Sequence, residues 1–184
     1  MIRHLPNLLS GLRLLAAPFM AWLILESHDS AALAVFAGAG LSDGLDGYIA
    51  RRWHVTSRFG AWLDPAADRL LMLLCFTALV VVGATPIWLV ALVVARDAGV
   101  GAGWLLIKIL GLPVTIRPLF LGKVSTMVQI LYILTVLLLL ALDLDAPRLA
   151  QTAAWACGFF ALLSAAAYAG VFVRRIFAGR PFAS

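Results

Sequence analysis

Four aspartates lie between residues 43 and 68 of this chain, in the stretch LSDGLDGYIARRWHVTSRFGAWLDPAADRL. They are Asp43, Asp46, Asp64 and Asp68, four of the nine acidic residues of the whole sequence. Asp43 and Asp46 are three apart, and Asp64 and Asp68 are four apart. On a helix either spacing puts both members of a pair on one face. Two like charges about 4 Å apart repel by about 4 kcal/mol at an effective dielectric near 20. An ionised Asp in the middle of a membrane helix costs about 2.5–3.5 kcal/mol on insertion scales. Such a cluster needs a positive partner. An all-oxygen donor set suits hard cations such as Mg²⁺ or Mn²⁺. The nearby His54 falls in the connection and outside the carboxylate pattern, which disfavours zinc. The plainer reading pairs the four carboxylates with Arg51, Arg52, Arg58 and Arg69 on a wet surface.

The neighbouring residues favour a ligand site. Gly47 follows Asp46, and Gly60 precedes Asp64 by about one turn, so a ligand can approach the backbone there. Arg51 offers a planar fork for a phosphate, and Thr56 and Ser57 offer hydroxyls. Carboxylate-held metals, an arginine and open backbone together fit a pyrophosphate.

The elements that position these residues are apolar. The chain has 184 residues, 64% hydrophobic and 12% charged, with a mean hydropathy of +1.02. A soluble domain is about half apolar and about a quarter charged. A soluble enzyme, a disordered chain and a secreted disulfide scaffold are thereby excluded. The two cysteines, Cys75 and Cys157, stand apart in apolar runs and suit neither a disulfide framework nor a metal site. Apolar runs at about 7–26, 31–50, 61–82, 86–107, 119–142 and 150–173 predict six transmembrane helices in one membrane domain over 1–184. The first run lacks a small-residue cleavage site and is expected to be a retained helix. The first acidic pair would end the second helix and the second pair would begin the third. The basic connection between them makes the two helices antiparallel neighbours.

The net charge of +5 follows from topology and implies no nucleic-acid partner. With the N-terminus inside, one side of the membrane collects Arg3, Arg51, Arg52, Arg58, Lys108, Arg117, Lys123, Arg174, Arg175 and Arg180, and the other holds Arg148. This bias puts both termini, and the aspartates, on the cytoplasmic side. Anionic membrane lipids are natural neighbours of the same basic residues. Glycines 38, 40, 99, 101 and 103 lie where helices could approach closely, and the Ala-rich stretch 161–169 reads as packing and lipid contact. Charges within the apolar runs need a reason. Arg13 suggests a phosphate or a buried carboxylate, and Arg96 beside Asp97 in the fourth run marks a possible acceptor contact.

The spacing Asp43-x2-Asp46-Gly47-x2-Ala50-Arg51-x8-Gly60-x3-Asp64-x3-Asp68 resembles the full signature of the CDP-alcohol phosphatidyltransferases, at every one of its fixed positions. The run Leu63-Asp64-Pro65-Ala66-Ala67-Asp68-Arg69 departs from the family's usual pattern only in Arg69, where Lys is common. The resemblance implies transfer of a phosphatidyl group from CDP-diacylglycerol to an alcohol, with release of CMP, using two Mg²⁺ or Mn²⁺ ions. It implies that Asp43, Asp46, Asp64 and Asp68 hold the metals and that Asp68 is also the general base. Gly47, Ala50, Arg51, Ser57 and Gly60 would accommodate the cytidine diphosphate group. The acceptor would be anionic and read by Arg117, Lys123 and Arg96. Homodimers are common in the family, which raises a second copy of the chain as a partner.

Two branches of the family compete. Pro86-Ile87-Trp88-Leu89, Ala95-Arg96-Asp97 and Arg117-Pro118-Leu119-Phe120-Leu121-Gly122-Lys123-Val124-Ser125-Thr126 with Gln129 resemble cardiolipin synthases of the eukaryotic type. Their acceptor is phosphatidylglycerol. The phosphatidylglycerophosphate synthases share much of this pattern but usually carry Arg-Glu at 96–97; their acceptor is glycerol 3-phosphate. Either would place the protein in a bacterial or mitochondrial inner membrane. A reading of another class, a small membrane cation transporter or scaffold, finds no inverted repeat or paired broken helices to support it.

Overall fold

The computed structural model describes residues 5–53, 60–111 and 119–178, with side chains over 14–41, 67–111 and 119–174. It is all-helical in these residues. Six helices follow in order: α1 (Leu5–Leu25), α2 (Asp29–Trp53), α3 (Gly60–Val81), α4 (Ile87–Ile109), α5 (Phe120–Ala141) and α6 (Pro147–Ala178). Their ends fall within three residues of the apolar runs, except that α6 continues five residues further. That last extension carries Arg174 and Arg175 beyond the apolar part. Basic side chains near a helix C-terminus interact favourably with its dipole, so the helix outlasts the hydrophobic pattern. The same holds for α2, which takes in Arg51 and Arg52 and stops at Trp53.

The turns between helices are short for an identifiable reason. At the end of α1, Ser27 (φ 58°) donates to the Ile24 carbonyl at 3.1 Å and His28 donates to Leu23 at 2.8 Å. At the end of α3, Gly83 (φ 78°) donates to Val80 and Ala84 to Leu79. At the end of α5, Asp143 (φ 50°) donates to Leu140 and Leu144 to Leu139. Each is a left-handed cap that satisfies orphan carbonyls and reverses the chain at once. Pro86 and Pro147 then stand at the starts of α4 and α6, where a missing N–H removes no helical hydrogen bond.

Among the described residues, three helices are long and apolar enough to cross a membrane: Ile87–Ile109, Phe120–Ala141 and Pro147–Arg174. Their outward faces are apolar as well. Phe120 is 78% and Ile87 74% exposed, and in water such side chains would form adhesive patches.

The chain forms two compact units. The first comprises residues 1–85 and 133–147. In it α1 packs against both α2 and α3, and its buried centre includes Met20, Ile24, Phe36, Phe76 and Leu79. Cys75 is buried there as a free thiol. The second unit comprises residues 86–132 and 148–184. In it α4 and α6 run parallel. Trp88 stacks on Trp155 at 4.7 Å between ring centroids, Arg96 meets Ser164, and Gly103 lies against Phe172. The start of α5 packs antiparallel to both, with Gly122 against Tyr168. Of the five glycines expected at close helix contacts, only Gly103 has a neighbour where a Cβ would stand; at 38, 40, 99 and 101 nothing lies within 4 Å. A small residue permits close approach but does not cause it; a large side chain opposite, here Phe172, must occupy the space.

Candidate active site

The acidic pairs lie on regular helix. Asp43 and Asp46 belong to the last third of α2, and Asp64 and Asp68 to the first third of α3. Each pair is therefore spaced by about one helical turn along its helix. Asp46 and Asp43 precede Trp53 by seven and ten residues, and Asp64 and Asp68 follow Gly60 by four and eight. At about 1.5 Å per residue, these are depths of about 10–15 Å along α2 and about 6–12 Å along α3 from their shared connection.

Asp68 is half-buried and Arg69 exposed. The side chains of Asp43, Asp46, Asp64, Arg51 and Ala50, the surroundings of Gly47 and Gly60, and the side chain of Arg13 lie outside the described set, as do Ser57 and Arg117 altogether. Gly47, Ala50 and Arg51 belong to α2 by backbone, and Gly60 is the first residue of α3. By residue type alone, four carboxylates are hard oxygen donors of the kind that suits a divalent cation.

The second unit contains a polar cluster centred on Arg96 of α4. Arg96 is 6% exposed. Its Nε and Nη2 donate to Ser164 Oγ of α6 at 3.2 and 2.7 Å. Nη2 also donates to the Gly122 carbonyl of α5 at 3.5 Å, and Nη1 pairs with Asp97 at 2.6 Å. The guanidinium carbon stands 5.8 Å from the centroid of the Tyr168 ring, within cation–π range. Four of the five N–H groups of an arginine are thus directed at protein groups. Lys123, in the first turn of α5, is exposed. On the same helix Gln129 donates to Ser125 at 3.3 Å, both buried.

The sequence reading of 161–169 as packing and lipid contact needs correction. Ser164 and Tyr168 in that stretch are buried and hold Arg96. A signal was present: a Ser and a Tyr four apart are the two polar side chains in an otherwise alanine-rich turn. Their spacing puts them on one face, but nothing in the sequence matches that face to Arg96, 68 residues away.

The described residues are all-helical, with three helices fit to cross a membrane, and the four aspartates lie on α2 and α3. The CDP-alcohol phosphatidyltransferase family model matches residues 3–167, and the chain belongs to that family. It is 36% identical over 159 residues to a cardiolipin synthase (CMP-forming) of Rattus norvegicus, covering 78% of this chain and 50% of that protein. It is 44% identical over 100 residues to the cardiolipin synthase (CMP-forming) of Streptomyces coelicolor, covering 51% of this chain and 46% of that protein. It is also 33% identical over 152 residues to CDP-diacylglycerol–glycerol-3-phosphate 3-phosphatidyltransferase 1, chloroplastic, of Oryza sativa, covering 73% of this chain and 46% of that protein. The chain spans about half the length of the curated relatives it matches.

Proposed function

We propose that this protein transfers the phosphatidyl group of CDP-diacylglycerol to phosphatidylglycerol, giving cardiolipin and CMP. The observation that carries this reading is the complete aspartate signature of residues 43–68 on α2 and α3, inside a family match over 3–167. The names of the rat and Streptomyces relatives favour phosphatidylglycerol as acceptor. The rice relative favours a second reading, with glycerol 3-phosphate as acceptor and phosphatidylglycerophosphate as product.

In this proposal Asp43, Asp46, Asp64 and Asp68 hold two divalent cations, Mg²⁺ or Mn²⁺. Bound there, the cations supply charge neutralisation to the pyrophosphate and the leaving oxygen of an in-line displacement. Arg51 and Ser57 hold the cytidine diphosphate group, and Gly47, Ala50 and Gly60 leave room for it. Asp68 takes the proton from the acceptor hydroxyl. That oxygen bonds to the phosphorus carrying diacylglycerol, the bond from this phosphorus to the CMP oxygen breaks, and CMP departs. Arg117 and Lys123 hold the acceptor's phosphate, and Arg96 serves the same step through the helices it joins. The arrangement we propose is a single membrane domain over 1–184. It has six spans, both termini in the cytoplasm and the site on that side, supported by the distribution of basic residues.

The test is purified protein with Mg²⁺ and CDP-diacylglycerol, given phosphatidylglycerol or glycerol 3-phosphate in turn, with lipid products resolved. Cardiolipin with the first acceptor supports the reading. Product with glycerol 3-phosphate alone moves the protein to the second reading, and no CMP release with either acceptor overturns both.

A further inference from the structure

We propose that Arg96 and Tyr168 are positioning residues that fix the first turn of α5, and through it Lys123, for contact with the acceptor. The inference rests on the proposed role of Lys123 and goes beyond it by naming what holds that residue in place.

The first turn of α5 is gripped from both neighbouring helices of its unit. From α6, the Tyr168 hydroxyl accepts the Leu119 N–H at 3.4 Å. This backbone donor stands at the helix start, where N–H groups have no intrahelical partner. From α4, Arg96 Nη2 reaches the Gly122 carbonyl at 3.5 Å. Gly122 is the residue that lets Tyr168 come this close, since a Cβ there would stand 2.8 Å from the hydroxyl. Lys123 follows directly, its own N–H bonded to the Leu119 carbonyl at 3.3 Å. The residues flanking and supporting Lys123 are thus the ones held by Arg96 and Tyr168. The two are also coupled to each other, through the guanidinium over the Tyr168 ring and through Ser164, one turn before Tyr168 on α6.

Stability alone does not account for the arginine. The Arg96–Asp97 pair, with the arginine buried and the aspartate side chain 30% exposed, contributes little net stability, because desolvation of the arginine offsets much of the attraction and water screens the aspartate. What it supplies is direction. The planar guanidinium fits one arrangement of Ser164, Asp97 and the Gly122 carbonyl, whereas an apolar side chain would tolerate several. Helices that slide by a fraction of a turn would carry Lys123 away from a phosphate while preserving the fold.

The experiment uses the full chain in detergent with CDP-diacylglycerol and phosphatidylglycerol, or with glycerol 3-phosphate if that is the acceptor the native protein turns over. Tyr168→Phe keeps the ring under Arg96 and removes only the acceptor of the Leu119 N–H. It is expected to raise the acceptor KM by about threefold to tenfold, the range of one hydrogen bond. The KM for CDP-diacylglycerol should stay near its native value, and the unfolding temperature should fall by no more than about 6 °C, the same hydrogen bond read as stability. Arg96→Met should raise the acceptor KM further, with Arg96→Lys failing to restore it because a point charge cannot make the fork. In a Lys123→Ala background, Tyr168→Phe should add no further increase. Both KM values rising together, or a lowered unfolding temperature with unchanged kinetics, overturns the proposal and leaves these residues as structural ties. Lys123→Ala without effect on acceptor KM overturns the assignment of Lys123 and this inference with it. An effect of Lys123→Ala with none of Tyr168→Phe overturns the positioning role alone.

Discussion

Gly103 is where one methyl group should test the packing behind the site. It lies on α4 against the Phe172 ring of α6, and a Cβ there would stand 2.5 Å from Cδ2 and 2.7 Å from Cζ. Carbon atoms in contact prefer about 3.5–4.0 Å, so the ring must move by about 1 Å. It cannot move freely: Phe172 is 8% exposed and stacked on Tyr168 with centroids 6.1 Å apart. Overpacking of this kind costs about 1–3 kcal/mol. Against it stands the gain of about 1 kcal/mol when Gly becomes Ala in a helix. Gly103→Ala should therefore be neutral to destabilising by about 2 kcal/mol. Gly99→Ala, one turn earlier on the same helix, meets nothing within 4 Å and should stabilise by up to about 1 kcal/mol. The two variants should differ by about 1–3 kcal/mol, or about 2–12 °C in unfolding temperature for a chain of this size. The assay is thermal unfolding in detergent followed by circular dichroism. Adding Phe172→Leu to Gly103→Ala should recover part of the loss by vacating the ring's space. Because Tyr168 moves with Phe172, Gly103→Ala should also raise the acceptor KM. If Gly103→Ala unfolds at or above the temperature of Gly99→Ala, the close contact of α4 with α6 is wrong.

Three further outcomes are expected. Chelation of divalent cations should abolish turnover, with Mg²⁺ or Mn²⁺ restoring it; full activity in chelator contradicts a metal held by the aspartates. Asp68→Asn should lower kcat by about 10²–10⁴-fold, the usual contribution of a general base, while CDP-diacylglycerol binding survives. Asp43→Asn should weaken that binding as well, measured by equilibrium binding of the radiolabelled lipid. Lys123→Ala and Arg117→Ala should each raise the acceptor KM about tenfold or more, the equivalent of a charge-assisted contact of about 1.5–3 kcal/mol. The KM for CDP-diacylglycerol should change much less, and equal changes in both would remove the acceptor assignment.

Six helices, and the positions of the four aspartates along α2 and α3, are legible in the amino-acid sequence alone. The reason is local: long apolar runs cannot leave backbone groups unpaired, and left-handed or proline punctuation at residues 27, 83, 86, 143 and 147 ends or begins the helices. One-turn spacing of carboxylates is likewise a property of neighbouring residues, as is the signature that relates the chain to its family. The length of α6 was less legible, because helix continuation through Arg174 and Arg175 depends on the dipole and the absence of a breaker, which hydropathy does not register. The partners of Arg96 were not legible at all. The sequence marks Arg96 as a charge needing a reason, and only the packing of α4, α5 and α6 shows Ser164, Tyr168 and the Gly122 carbonyl around it. Tertiary structure alone also distinguishes Gly103 from Gly99 and Gly101: all three lack a side chain, but only one faces Phe172. Spacing fixes which residues share a helical face; which face meets which is decided by side chains far apart in the chain.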